Sequence, residues 1–221
     1  MEKQFKVIFT ADGSQTILDT NRNTTYHSTN GAVTESKQVF IEAGLKYLVE
    51  KGVSDIRILE LGFGTGLNAF LSFLTSRDHD MSFSYVGIEA YPLPTSITEK
   101  LAYPIFLDAR DEQNVFRQMH TDMEMSNGNF AFKVLHGKVE KIPIPLNNTL
   151  VYYDAFGPGD QNEMWQPEVL AKVVNSLTQG GVLVTYCAQG QFKRNLKQLG
   201  CKVESLPGPP GKREMVRATL L

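Results

Sequence analysis

Apolar residues recur along the chain with two periods, and the way these alternate narrows the fold. Short apolar runs that suit buried strands stand at residues 56–61, 83–89, 130–136, 149–154 and 182–187. Between and after them lie segments of helical character. These are residues 67–75, a stretch opened by Pro92 or Pro94 and running to about Ala102, and residues 112–123, 167–177 and 191–199. Ahead of the series, residues 35–51 predict a helix. Its stripe is Val39, Ile41, Leu45 and Leu48, and Gly52 is its stop. Strands that alternate with helices imply a parallel sheet covered on both faces. The last two strands, residues 202–205 and 214–220, are separated only by a Pro/Gly-rich link, so they are expected to pair as an antiparallel hairpin. The expectation is an α/β, doubly wound sheet of seven strands with an antiparallel last strand.

Residues 4–27 read differently. A strand at 5–9, the turn Ala11-Asp12-Gly13-Ser14 and a strand at 16–18 make a small antiparallel piece. Composition breaks at about residue 30. The chain is therefore expected to divide into an N-terminal β-hairpin extension, residues 1–30, and an alternating body, residues 31–221.

The chemistry concentrates at strand ends. The first strand of the body runs straight into Gly62, Gly64 and Gly66 and then into a helix. Glycines there let the backbone turn sharply and approach a ligand, and the helix start offers free N–H groups. The spacing is G-x-G-x-G, whereas dinucleotide enzymes usually show G-x-G-x-x-G. Glu89 ends the next strand, where a carboxylate can accept hydrogen bonds from both hydroxyls of a ribose. Glu60, under the glycine loop, could order that loop or approach a bound ligand. Asp154 ends the strand 149–154 and precedes Phe156 and a Gly-Pro turn. Ligands of open α/β sheets sit beyond the carboxyl ends of the strands, so Asp154 is a candidate to orient an amine and take its proton. Capping the next turn is the plainer role for such an Asp.

These segments carry a resemblance. The short glycine motif preceded by Glu60 looks like motif I of methyltransferases that use S-adenosylmethionine. The strings LELGFGTGLNAF, YYDAFGPGDQNEMW followed by PEVL, GGVLVTYCAQG and GPPGKREM, in that order, resemble the bacterial methyltransferase family of tRNA wobble-uridine modification. The resemblance runs from about Thr34 to the C-terminus. It implies a Rossmann-like methyltransferase sheet and S-adenosylmethionine as cofactor, with S-adenosylhomocysteine as product. The implied reaction is N-methylation of 5-aminomethyl-(2-thio)uridine to 5-methylaminomethyl-(2-thio)uridine. It further implies Asp154 as catalytic carboxylate, Gly62, Gly64 and Gly66 as cofactor loop, Glu89 as ribose ligand, and upstream modification enzymes that supply the substrate. Many members carry a fused flavin-dependent oxidase domain, and this chain resembles the stand-alone form. It departs from the family pattern at Gly157, where Ser is usual, and at Glu42-Ala43-Gly44-Leu45, where a Gly-Asn-x-Leu string is usual.

Charge sharpens the substrate side. Net charge is −2, but the last 33 residues hold seven basic and two acidic side chains. Lys193, Arg194, Lys212 and Arg213, with Lys197, are the candidate phosphate contacts of a tRNA. Phe156 and Trp165 are candidates to stack a flipped uracil, although a Trp at that place serves equally well as a loop anchor. Ser36 is a candidate helix cap. The four histidines, His27, His79, His120 and His136, show no ligand spacing, and no metal is expected. Two cysteines, the lack of an apolar run near the ~20 residues of a membrane helix, and an N-terminus without a signal pattern give the expectation of a cytoplasmic protein away from membranes. Two other functions keep the same residues: a small-molecule amine methyl- or aminopropyl-transferase, and a non-catalytic nucleoside-binding scaffold.

Overall fold

The computed structural model describes residues 5–221; residues 1–4 of the expected N-terminal extension lie outside them. The chain opens with three short antiparallel strands, β1 (Phe5–Phe9), β2 (Gln15–Asp19) and β3 (Thr24–Thr25). The expected hairpin thus gains a third strand. A continuous helical segment over residues 32–50 follows, and its middle, Lys37–Lys46, has the wider π-type turn. This segment lies close against the sheet, since a Cβ on Gly44 would meet Val184 Cγ2 at 3.0 Å.

The body holds β4 (Asp55–Leu61), β5 (Ser82–Glu89), β6 (Glu124–Asn127), β7 (Phe130–His136), β8 (Asn148–Tyr153), β9 (Leu177–Thr185), β10 (Cys201–Pro207) and β11 (Glu214–Leu220). They form one sheet in the order β10-β11-β9-β8-β4-β5-β7-β6. The five strands β9, β8, β4, β5 and β7 are parallel. Side chains of β4 alternate between the two faces: Ile56 and Ile58 enter the core under residues 32–50 and helix Leu67–Ser76, and Leu59 and Leu61 the core under helices Pro167–Val174 and Gly190–Gln198. Burial on both faces is why these strands read as continuous apolar runs.

The sheet has eight strands, not seven. The extra one, β6, is an antiparallel edge strand joined to β7 through Gly128 at φ 58°. The last strand, β11, is antiparallel as expected, but it lies between β9 and β10 rather than at the edge. The helix expected to run from Pro92 or Pro94 to about Ala102 is only Thr95–Thr98, and a separate short helix follows at Tyr103–Phe106. The helix from Pro167 stops at Val174, because Leu177 already pairs with Asn148 in the sheet.

The first helix is capped from outside. The turn between β1 and β2 supplies Thr10 Oγ1 to Ala32 N (3.2 Å), Ser14 Oγ to Val33 N (3.2 Å) and Asp12 Oδ2 to Thr34 N (3.0 Å). Three of the orphan N–H groups of the helix start are thereby satisfied. The expected cap, Ser36, instead lies buried inside the helix, and its hydroxyl has no hydrogen-bond partner among the described residues. Burial alone would raise the Asp12 carboxyl; hydrogen bonds from Ser14, Thr10 and Thr34 outweigh it and hold the group well below the ordinary carboxylate range.

Asp12→Ala is expected to cost about 1–2 kcal/mol of stability by denaturant unfolding. A depressed folded pKa stabilises above the unfolded value of about 4 and loses that contribution as pH falls. The gap between wild type and variant should therefore narrow in acid; a gap independent of pH contradicts anchoring by the carboxylate.

Candidate functional site

The chain lays down β4, then β5 and β7 on one side, and then β8 and β9 on the other. The point where the order reverses lies between the carboxyl ends of β4 and β8, and a crevice opens there. Asp154 N donates to Leu61 O (3.1 Å) and Gly62 N to Ile88 O (3.0 Å), so the ends of β4, β5 and β8 are locked together at the crevice floor.

Gly62, Gly64 and Gly66 have φ of 87°, 52° and 73°. A Cβ at Gly62 would lie 2.9 Å from the backbone oxygen of Asp154, and one at Gly66 2.9 Å from His120 Nε2 and 3.0 Å from Phe63 Cζ. Thr65, between the glycines, is held from two sides. His27 Nε2 lies 2.6 Å from its Oγ1, and His120 Nε2 lies 3.1 Å from its carbonyl oxygen. Burial pushes both imidazoles down to about 4, which keeps them neutral at neutral pH. Glu89 joins the loop to the end of β5: Gly64 N donates to its Oε2 (2.9 Å) and Tyr91 N to its Oε1 (2.8 Å). Each carboxylate oxygen keeps a lone pair that can accept a ribose hydroxyl.

Beside the loop is an acidic corner. Asn68, on the first turn of the helix after Gly66, donates through Nδ2 to Asp154 Oδ2 (2.7 Å) and to Glu60 Oε1 (2.9 Å). Burial raises Glu60 to about 8, while the neighbouring Tyr85 hydroxyl and the Asn68 amide pull it back. Burial, then the charges of Glu60 and Glu35, hold Asp154 well above the ordinary carboxylate range; Asn68 and Lys212 act in the opposite sense. Asn68 Oδ1 is buried without a hydrogen-bond partner among the described residues. The corner is rich in acceptors and short of positive charge, so it suits a cation or an ammonium donor.

The N-terminal sheet covers the crevice and encloses a cavity of about 320 Å³. Tyr26 meets Phe156 edge to face at 5.0 Å, and the Arg22 guanidinium lies 5.8 Å from the Phe156 ring. Thr24 Oγ1 donates to Asp160 Oδ2 across the mouth (3.2 Å). On the far wall Lys212 pairs with buried Glu35 and sits 4.1 Å from the Tyr186 ring centre.

Of the residues singled out in the sequence, Gly62, Gly64, Glu89, Asp154, Phe156 and Lys212 line the crevice; Glu60 is joined to it through Asn68, and Gly66 belongs to the same loop without lining the cavity. Lys212 faces the cavity rather than the outer surface. Trp165 does not join them: it is buried against Tyr153 and Phe192 at 5.1 Å, and its indole N–H donates to Phe156 O (2.7 Å). It anchors the loop. Lys193, Arg194 and Arg213 lie outside the cavity. Lys193 is paired with Glu214 at 2.9 Å, Arg194 is exposed and bonded to Gln191 (2.8 Å), and Arg213 is exposed. Asn68, His27, Arg22 and Tyr186 were not singled out. Asn68 alone carried a signal, as an amide on the buried face of an otherwise apolar helix start.

A protein-family model described as S-adenosyl-L-methionine-dependent methyltransferase matches residues 106–221. The tRNA 5-methylaminomethyl-2-thiouridine biosynthesis bifunctional protein MnmC of Leptospira interrogans is 27% identical over 205 residues, covering 86% of this chain and 32% of that protein. Its counterpart from Pseudomonas putida is 28% identical over 207 residues, covering 83% of this chain and 30% of that protein. The chain thus spans about a third of the length of these curated relatives. The crystal structure of MnmC2 from Aquifex aeolicus superposes with a TM-score of 0.82 at 25% identity, covering 99% of this chain and 71% of that one. The glycine cradle, the Glu89 carboxylate and the acceptor-rich corner fit a cofactor that joins a ribose diol to a cationic sulfonium tail.

Gly66→Ala is expected to weaken binding of S-adenosylhomocysteine at least about tenfold, because a β-carbon strains the loop and strikes His120. Calorimetric titration measures it; wild-type affinity in the variant contradicts the assigned role of the loop.

Proposed function

The chain belongs to the S-adenosyl-L-methionine-dependent methyltransferases, and on that premise we propose that it methylates the primary amine of 5-aminomethyl-(2-thio)uridine at the tRNA wobble position. The product is 5-methylaminomethyl-(2-thio)uridine. The observation that carries this reading is the acidic corner, where Asp154 and Glu60 share one amide donor beside the glycine loop. The names of the curated relatives supply the substrate. Enzymes earlier in the modification sequence supply the aminomethyl group.

Bound S-adenosylmethionine supplies a methyl group on a positively charged sulfur, which is open to direct attack by a lone pair. The residues of the chain prepare that lone pair. An alkylamine is an ammonium ion at neutral pH and cannot attack until it loses a proton. Asp154, whose proton affinity lies well above that of an ordinary carboxylate, accepts this proton and orients the nitrogen. Asn68 fixes the carboxylate by a hydrogen bond and so holds the base at one position. Glu60, raised to about 8 by burial, ionises more readily beside a bound cation and then faces the positive charge that passes from sulfur to nitrogen during transfer. Tyr26 and Phe156 close the crevice against water. Phe156, half-exposed at the mouth, is the surface on which the uracil ring rests. Arg194, Lys197 and Arg213, all exposed, are the side chains offered to tRNA phosphates.

Asp154→Asn is expected to retain S-adenosylhomocysteine binding and to lose about 10²–10⁴-fold in methyl transfer to aminomethyl-bearing tRNA, followed by mass analysis of the digested nucleosides. Transfer at the wild-type rate contradicts the base. Glu60→Gln removes a like charge beside Asp154. That lowers the proton affinity of Asp154, so the acidic limb of the pH–rate profile should move to lower pH; a limb that stays in place contradicts the coupling.

A further inference from the structure

The cavity wall contains one feature that the methyl-transfer chemistry does not use. Lys212 Nζ lies over the face of Tyr186, 4.1 Å from the ring centre, and pairs with Glu35 Oε1. Glu35 is buried, and its second oxygen already accepts from Ser28 N (2.9 Å). Lys212 itself is only 31% exposed. It lines the same cavity as Gly62, Gly64, Asn68 and Asp154, and its charge is felt at Asp154. A cation at that place works against binding a sulfonium or an ammonium ion, whereas the ionisable groups around it in the inner corner, Glu35, Glu60 and Asp154, are acids. Its presence calls for an anion in the ligand.

S-Adenosylmethionine carries one. Its amino-acid tail is a zwitterion, and a carboxylate that enters an acidic crevice needs a positive partner. Resting on the cofactor assignment above, we infer that Lys212 is the seat of the α-carboxylate of the donor's amino-acid tail. Glu35 holds the lysine stem in place, the ring of Tyr186 supports the ammonium from below, and at least one of its three N–H donors stays free for the ligand. The pocket is then selective for a donor that keeps its carboxylate. It discriminates against decarboxylated S-adenosylmethionine, the donor of aminopropyl transfer, and this separates two reactions that would otherwise make equal use of Asp154.

The test is a calorimetric competition titration with two probes: S-adenosylhomocysteine and its decarboxylated counterpart, which keeps the nucleoside, the sulfur and the amine. The wild-type protein should prefer the first by about 10- to 100-fold, the range of one charge-assisted hydrogen bond. Lys212→Met should bring the two within about twofold, and Lys212→Arg should restore part of the preference. Lys212→Met leaves buried Glu35 unpaired, so Glu35→Gln/Lys212→Met is measured beside it, with thermal melting to verify folding. Collapse of the preference in both variants supports the assignment. A preference that survives in the double variant, or equal binding of the two probes by wild type, overturns it. If wild type binds neither probe, the cofactor assignment falls first and this inference with it.

Discussion

A single side-chain amide holds together two carboxyl groups that repel each other. Asn68 Nδ2 reaches Asp154 Oδ2 and Glu60 Oε1 at once. Glu60 is buried and Asp154 half-buried, and Asn68 is the side chain that ties the end of β4 to the residue after β8. With it they stand at defined places and in a high-energy electrostatic state. Burial raises the proton affinity of both; the charge of Glu89 adds to it at Glu60, and those of Glu60 and Glu35 add to it at Asp154. Such a corner is relieved by positive charge, and a sulfonium donor and an ammonium substrate both bring it.

The fold produces this corner through chain order. Glu60 is the penultimate residue of β4 on one side of the switch point, Asp154 follows β8 on the other, and Asn68 lies in the first turn of the helix that the glycine turn launches between them. The glycines set the angle of that helix, so the loop that fits a nucleoside also aims the amide that bridges the acids. Thr65 and its two neutral histidines lock the loop. The N-terminal sheet adds the roof, and its β1–β2 turn caps the helix that carries Glu35 to the opposite wall. Cofactor loop, base and wall are therefore parts of one connected assembly.

Local chemistry was legible in the sequence, and long-range pairing was not. The parallel strands show as apolar runs because both of their faces are buried, and the three glycines show because left-handed turns demand them. β6 left no apolar pattern, since its residues Glu124–Asn127 are mostly exposed at the sheet edge. Only Gly128 beyond Asn127 marked its hairpin. The cap of the first helix comes from residues about twenty positions earlier, where local reading could offer only Ser36. Lys212 read as part of a basic C-terminal surface, and its partner Glu35 is 177 positions away. Trp165 read equally as a stacking platform and as a loop anchor; the hydrogen bond from its indole to Phe156 O turns it inward.

The acidic corner can be watched directly by difference infrared spectroscopy as S-adenosylmethionine is added to the protein at neutral pH. The account predicts loss of a protonated carboxyl band on binding, as the arriving cation drives the proton off the Asp154–Glu60 pair, and a band that is gone beforehand in Asp154→Asn/Glu60→Gln. A wild-type protein whose carboxyl groups are all ionised before the donor is added, with no change on binding, would contradict it.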